Sequence, residues 1–147
     1  MNKTLWDKTI NNIHETRHDL LKNINEFISD VDFVSCGSYL AKTNNYHRPT
    51  LDMTADKAFL DATDLRHPII ESISDKEFIR NDIVLGKGDC DGILLYGVNA
   101  GGKSTLMKSV GLNLIMAQSG LYVSSGSFTY KPYKNIFTRI ISNDNIF

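Results

Sequence analysis

The feature that most constrains this chain is an eight-residue run, Gly97-Val98-Asn99-Ala100-Gly101-Gly102-Lys103-Ser104, set between the apolar run Gly92–Tyr96 and a stretch of helical character. It satisfies G-x-x-x-x-G-K-[ST] at every fixed position. With glycine near 7% of residues, such a match arises by chance in roughly one chain in two hundred of this length. The flanking strand–loop–helix order makes an incidental glycine-rich turn a poorer account still. Each residue type has a chemical reason. Glycines let backbone N–H groups turn inward around phosphate oxygens without a Cβ in the way. The following helix aims its free N–H groups and its dipole at negative charge. Lys103 supplies a mobile cation for the β- and γ-phosphates, and the Ser104 hydroxyl suits Mg²⁺, which takes hard oxygen ligands. A chain built around this loop is expected to be α/β.

The rest of the pattern agrees. The first thirty residues read as one long helix, opened by a Thr4–Asp7 capping box. Trp6, Ile10, Ile13, Leu20, Ile24, Phe27 and Val31 follow steps of four and three, with Arg17 interrupting and Leu5, Leu21 and Ile28 widening the stripe. One helix cannot bury such a stripe on itself. Val31–Leu40 reads as a second short helix, and the polar run Lys42–Pro49 as a boundary. Beyond it come short β-prone runs at Leu65–Ile70, Ile83–Leu85, Ile93–Tyr96, Phe128–Tyr130 and Ile136–Ile141. Ser104–Ser119 reads as a helix closed by Gly120. Strands alternating with helices predict layered α/β architecture.

Composition narrows the function classes. The 147 residues allow one ordinary domain, or a small domain with an appendage. A net charge of −1 gives no global attraction to nucleic acid, so any DNA contact needs a local patch or other chain segments. Cys36 and Cys90 form no CxxC pair, which suggests a reducing compartment. No signal-like apolar start and no membrane-length apolar run are visible, so an intracellular, soluble protein (cytoplasm or nucleus) is expected. A competing motif, His14-Glu15-Thr16-Arg17-His18, matches H-E-x-x-H of zinc peptidases. It needs a third ligand, and the nearest candidates, His67, Glu71 and Glu77, lie past the expected boundary. Leu21 and Ile24 occupy the Gly and His positions of its extended form. An exposed helix flank is the plainer reading.

Five landmarks resemble one family. Leu65-Arg66-His67-Pro68-Ile69-Ile70-Glu71 resembles the RHP-V-[IV]-E opening of the MutS ATPase domain. Phe78-Ile79-Arg80-Asn81-Asp82 is similar to its F-[IV]-x-N-[DP] segment. Gly97–Thr105 is similar to GPNMGGKST, Met116–Val123 to M-A-x-x-G-x-[FY]-V, and Ile136–Ile140 to IFTR-[IV], with Asp144 at a nearby acidic position. The resemblance covers about Pro49–Phe147. It implies an incomplete, ABC-like P-loop NTPase fold in residues 47–147, preceded by a helical lever or connector in residues 1–46.

The same resemblance implies site roles. Phe78 would stack on adenine with help from the backbone around Ile79. Asn99 would arrange the γ-phosphate and attacking water. Gly97, Val98, Ala100, Gly101 and Gly102 would wrap phosphates, Lys103, Ser104 and Thr105 would keep their P-loop roles, and His67 would be structural. The implied ligands are ATP and Mg²⁺, the latter through Ser104. The implied partners are mismatched double-stranded DNA, through the full-length protein, and a second MutS-type subunit in a homo- or heterodimer. Val98 replaces the usual Pro and Ala100 the usual Met, variants reminiscent of the branch found in large DNA viruses. No Walker B strand, signature loop or catalytic His follows within the 147 residues, so this chain alone is expected to be hydrolysis-deficient. The alternatives are another ABC-like ATPase and a non-catalytic fragment that associates through its helix.

Overall fold

The computed structural model describes residues 3–75, 77–99 and 101–139. Helix α1, Lys3–Asn44, runs 42 residues without a break. The expected division into a first helix and a second short one near Val31 is therefore incorrect. Val31–Leu40 contains no proline and its one glycine, Gly37, is tolerated inside the helix. Thr4 lies within α1 because the helix already includes Lys3. The apolar stripe is solvent-exposed along the helix, from Trp6 through Phe27 to Val31. The chain divides into two compact units, one ending at Tyr39 and one beginning at Leu40.

The second unit holds a four-stranded mixed sheet in the order β1-β4-β2-β3, with β1 Thr50–Leu51, β2 Phe59–Leu65, β3 Asn81–Leu85 and β4 Ser127–Lys131. β2 runs antiparallel to both β3 and β4, and β1 joins β4 in parallel. Helix α3, Lys103–Gln118, lies over this sheet. Its Leu114 and Ala117 complete a core with Leu60, Ala62, Leu65, Ile83, Val123, Phe128 and Tyr130. The Tyr130 hydroxyl donates to the Ala117 carbonyl at 3.0 Å, which satisfies the polar end of a buried ring. A one-turn helix α2, Ile70–Ile73, follows β2.

Two strand expectations need correction. Leu65–Ile70 is not a strand: β2 ends at Leu65 and α2 begins at Ile70. Pro68 lacks the N–H a ladder requires, which stops pairing there. Ile93–Tyr96 is not a strand either, and Leu94 and Tyr96 stand 87% and 90% exposed. An apolar run becomes a parallel strand only between neighbours that supply its ladder, and among the described residues it has none. Ile136–Arg139 carries no regular structure, and the rest of that expected strand lies outside the described residues. Asp144 lies outside them too.

One turn is sterically fixed. Gly86, closing β3, has φ +73, and a Cβ there would stand 2.5 Å from the Ala58 carbonyl oxygen. One buried amide is closely matched by its surroundings. The fully buried Asn113 of α3 donates from Nδ2 to the carbonyls of Arg66 (3.0 Å) and Ser109 (2.9 Å). Its Oδ1 accepts from the Ser124 N–H (2.7 Å) and hydroxyl (3.0 Å). Asn113→Ala would strand several buried groups and is expected to lower unfolding free energy by about 3 kcal/mol, measured as a shifted denaturant midpoint with unchanged slope.

Candidate functional site

The run Gly97–Ser104 leads into α3, as the spacing requires. Gly102 is the N-cap residue at φ +82, ψ 3, left-handed backbone that glycine reaches without strain. No side chain caps this end and no acidic residue sits in the first turn. The first-turn N–H groups thus have no side-chain cap. Within the loop the Gly101 N–H donates to the Val98 carbonyl at 3.2 Å. A Cβ on Gly101 would meet that same oxygen at 3.0 Å. The Lys103 ammonium turns back to donate to the carbonyls of Gly97 (2.8 Å) and Val98 (2.6 Å).

A cavity of about 700 Å³ opens beside this loop. Phe78, Ile79, Gly101, Gly102, Lys103 and Thr105 all line it. It therefore brings together two segments that are more than twenty residues apart in the chain. Gly97, Val98, Asn99 and Ser104 are not part of that lining, and Ala100 lies outside the described residues. Asn99 sits in the loop's turn, and Ser104 is the exposed second residue of α3. Sequence reasoning missed Ile70, Ser74, Glu77, Leu95 and Tyr96 of the lining. For Asn81 the signal was present, since it sits inside the same resembling segment as Phe78; its amide donates to the Ile79 carbonyl at 3.0 Å and fixes that backbone.

His67 is placed by its own hydrogen bonds. It is 4% exposed, and its Nδ1 accepts the N–H groups of Ile69 (3.3 Å) and Ile70 (3.2 Å) at the start of α2. The ring must be neutral at Nδ1 to do this. Burial, with Lys108 adding to it, holds the imidazole below its usual value of 6.5.

The second motif belongs to the first compact unit. His14 and His18 touch edge to face on exposed turns of α1, with ring centroids 4.8 Å apart. Among the described residues no group of three or more His, Cys, Asp or Glu could hold a metal ion. Among them, too, no helix is long and apolar enough to cross a membrane.

Comparison with known proteins points the same way as the landmarks. The family model described as MutS domain V matches residues 93–147. A putative DNA mismatch repair protein, a mutS homolog from Acanthamoeba polyphaga mimivirus, is 35% identical over 178 residues, covering 99% of this chain and 16% of that protein. The mitochondrial DNA mismatch repair protein mutS homolog of Sarcophyton glaucum is 32% identical over 149 residues, covering 99% of this chain and 15% of that protein. The DNA mismatch repair protein MutS of Shouchella clausii is 37% identical over 120 residues, covering 81% and 13%. The chain belongs to the MutS family of DNA mismatch-repair proteins. It spans only 13–16% of the length of these relatives.

The neutral His67 carries a pH consequence. Its folded-state pKa lies below the unfolded value, so the unfolded chain binds the proton first as pH falls. The contribution to stability is complete above about pH 6.5, the unperturbed imidazole value, and declines below it. His67→Gln is expected to flatten that acid-side decline in unfolding free energies measured between pH 7.5 and 5.

Proposed function

We propose that residues 47–147 are part of an ABC-like P-loop ATPase domain, preceded by a helical connector in residues 1–46, and that the cavity beside Gly97–Ser104 binds ATP. The observation that carries this reading is the shared cavity wall: Phe78 and Ile79 at one part, Gly101, Gly102, Lys103 and Thr105 at another. An aromatic ring and a cationic glycine loop in one cavity suit a ligand that is flat at one end and anionic at the other.

In this reading the adenine stacks on Phe78, against the backbone of Ile79. The loop amides and the open N-terminus of α3 take the phosphates. Lys103 exchanges its carbonyl partners for β- and γ-phosphate oxygens, charge-assisted bonds roughly twice as strong as neutral ones. Asn99 orients the γ-phosphate end. Ser104 and Thr105 hydroxyls stand at the first turn of α3, where Ser104 suits Mg²⁺; that ion, when bound, neutralises charge between phosphates.

Among the described residues of the lining Glu77 is the one carboxylate, and it adjoins Phe78, at the proposed base end of the cavity rather than the phosphate end. The chain alone therefore binds rather than turns over ATP, since phosphoryl transfer depends on positioned charge around the γ-phosphate. In a full-length protein with further domains and a second MutS-type subunit, this site would couple ATP to binding of mismatched double-stranded DNA. The exposed stripe on α1 favours one other reading, a non-catalytic segment that associates through its helix.

The two readings part on nucleotide binding. Fluorescence of a labelled ATP analogue with Mg²⁺ is expected to report binding to the chain. Lys103→Ala should weaken it about 10- to 150-fold, the value of a hydrogen bond to a charged group. Phe78→Ala should weaken it at least about five-fold through lost base stacking. Binding unchanged in Lys103→Ala would reject the ATP site and leave the helix-mediated reading.

A further inference from the structure

We propose that Arg66 is a positioning residue that transmits occupancy of the Phe78–Lys103 cavity to the C-terminal end of α1; this rests on the nucleotide reading of that cavity.

The end of α1 is incompletely closed by its own backbone. Asn45 adopts φ +52, and the Tyr46 N–H donates to the Ala41 carbonyl at 2.9 Å. That is the six-to-one bond of a Schellman ending. It leaves later carbonyls to other donors. Arg66 supplies one: its Nη2 donates to the carbonyls of Asn45 (3.1 Å) and Asn44 (3.4 Å). A guanidinium at this position also faces the negative end of the helix dipole. The Tyr46 ring lies 6.0 Å from the guanidinium carbon.

Arg66 does not travel with α1, because its own backbone is fixed elsewhere. Its N–H donates to the Ser124 carbonyl at 2.8 Å. Its carbonyl accepts from Asn113 Nδ2 at 3.0 Å and lies 2.9 Å from the Ser124 hydroxyl, whose single proton it shares with Asn113 Oδ1. Asn113 belongs to α3, the helix that starts at Lys103. The cap on α1 is thus mounted on the same element that carries the phosphate-facing lysine.

A second connection reaches the base end. Arg66 Nε lies 2.9 Å from Glu71 Oε2, both side chains being largely buried. The alignment is that of an ion pair without a hydrogen bond at Nε, and Glu71 Oε1 has no hydrogen-bond partner among the described residues. Glu71 lies in α2, whose Ile70 lines the large cavity. A smaller cavity of about 320 Å³ is walled by Arg66, Glu71 and Phe78, among others. Ser74, Glu77 and Phe78 line both cavities and so form the partition between them. A base seated on Phe78 loads one side of that partition; Arg66 and Glu71 sit on the other. The pair retains unused hydrogen-bonding capacity through which it can rearrange.

Hydrogen exchange on the full chain, with and without Mg²⁺-ATP, tests this. In the unmodified chain the nucleotide is expected to change exchange of the Tyr46 and His47 amides about five-fold or more, the lower end of ordinary coupling between sites. In E71Q the nucleotide should still bind within about two-fold of its original affinity, with that exchange response abolished. R66K, which keeps the charge but loses the planar fork, should behave likewise, and it serves if E71Q fails to fold. An exchange response that persists in E71Q and R66K alike overturns the coupling, as does nucleotide binding with no response at Tyr46 and His47. No nucleotide binding by the unmodified chain overturns the ATP reading, and the coupling with it.

Discussion

The carboxamide of Asn113 joins three segments that are far apart in sequence: α3, the end of β2 and the Val123–Ser125 turn. It makes two donor and two acceptor bonds, all of them inside the core. A buried amide with its valences filled is stabilising where a half-filled one would be costly, because the surrounding dielectric is low. The consequence is positional. α3 begins at the glycine loop, and β2 runs out into Arg66, His67 and α2. Fixing α3 against the end of β2 fixes Lys103 and Thr105 relative to Ile70 and Phe78. One buried polar side chain thus ties α3 to the end of β2, the two elements from which the cavity wall is reached.

Hydrophobic burial completes what that register begins. Leu60 and Leu65 of β2 are fully buried beneath α3, and Val123 beside the network is fully buried as well. The antiparallel pairings of β2 with β3 and β4 hold the sheet without help from the loop-leading run Ile93–Tyr96. That run and Ile79 leave apolar surface open close to the cavity, Ile79 being 83% exposed. Ile79 and Tyr96, both in the cavity lining, are thus among the least covered apolar residues of the second unit. Apolar surface of this kind marks places where a ligand or another polypeptide segment gains most from contact.

Much of this was legible in the sequence. The glycine loop announced itself by spacing, α3 by its length between Gly102 and Gly120, and α1 by its stripe. β3 and β4 carried compact β-prone runs. β2 did not, because FLDATDL places Asp61 and Asp64 within the strand, residues depleted in strands. Asp64 takes φ +50 at an irregularity in the β2–β3 pairing, a local distortion that alternation cannot reveal. The run Ile93–Tyr96 misled in the opposite sense, since β-propensity measures fit to neighbours that a sequence does not supply. Of the cavity lining, Phe78 and Ile79 were named through resemblance and Lys103 through spacing. Arg66 was quoted as part of a motif but given no task, since its partners Asn44, Asn113 and Ser124 come together only through the fold.

The loop itself shows how a departure from the family pattern is absorbed. Where similar loops carry proline, this chain has Val98, which gives up a ring-fixed φ. The Val98 carbonyl, however, accepts from the Gly101 N–H and from the Lys103 ammonium, while the Gly97 carbonyl accepts from Lys103 as well. Two donors converging on one oxygen hold the turn that the proline ring would otherwise constrain. In the proposed nucleotide reading the lysine has two tasks that compete: it shapes the loop through carbonyls, and it would draw phosphate as a cation. Passing from carbonyl to phosphate oxygens trades neutral acceptors for charged ones, which strengthens each bond. It also releases the Val98 carbonyl to a single donor, so the turn is held least firmly when the lysine is engaged elsewhere. Restoring a proline at this position would remove that competition, because the ring would constrain the turn whichever partner Lys103 holds.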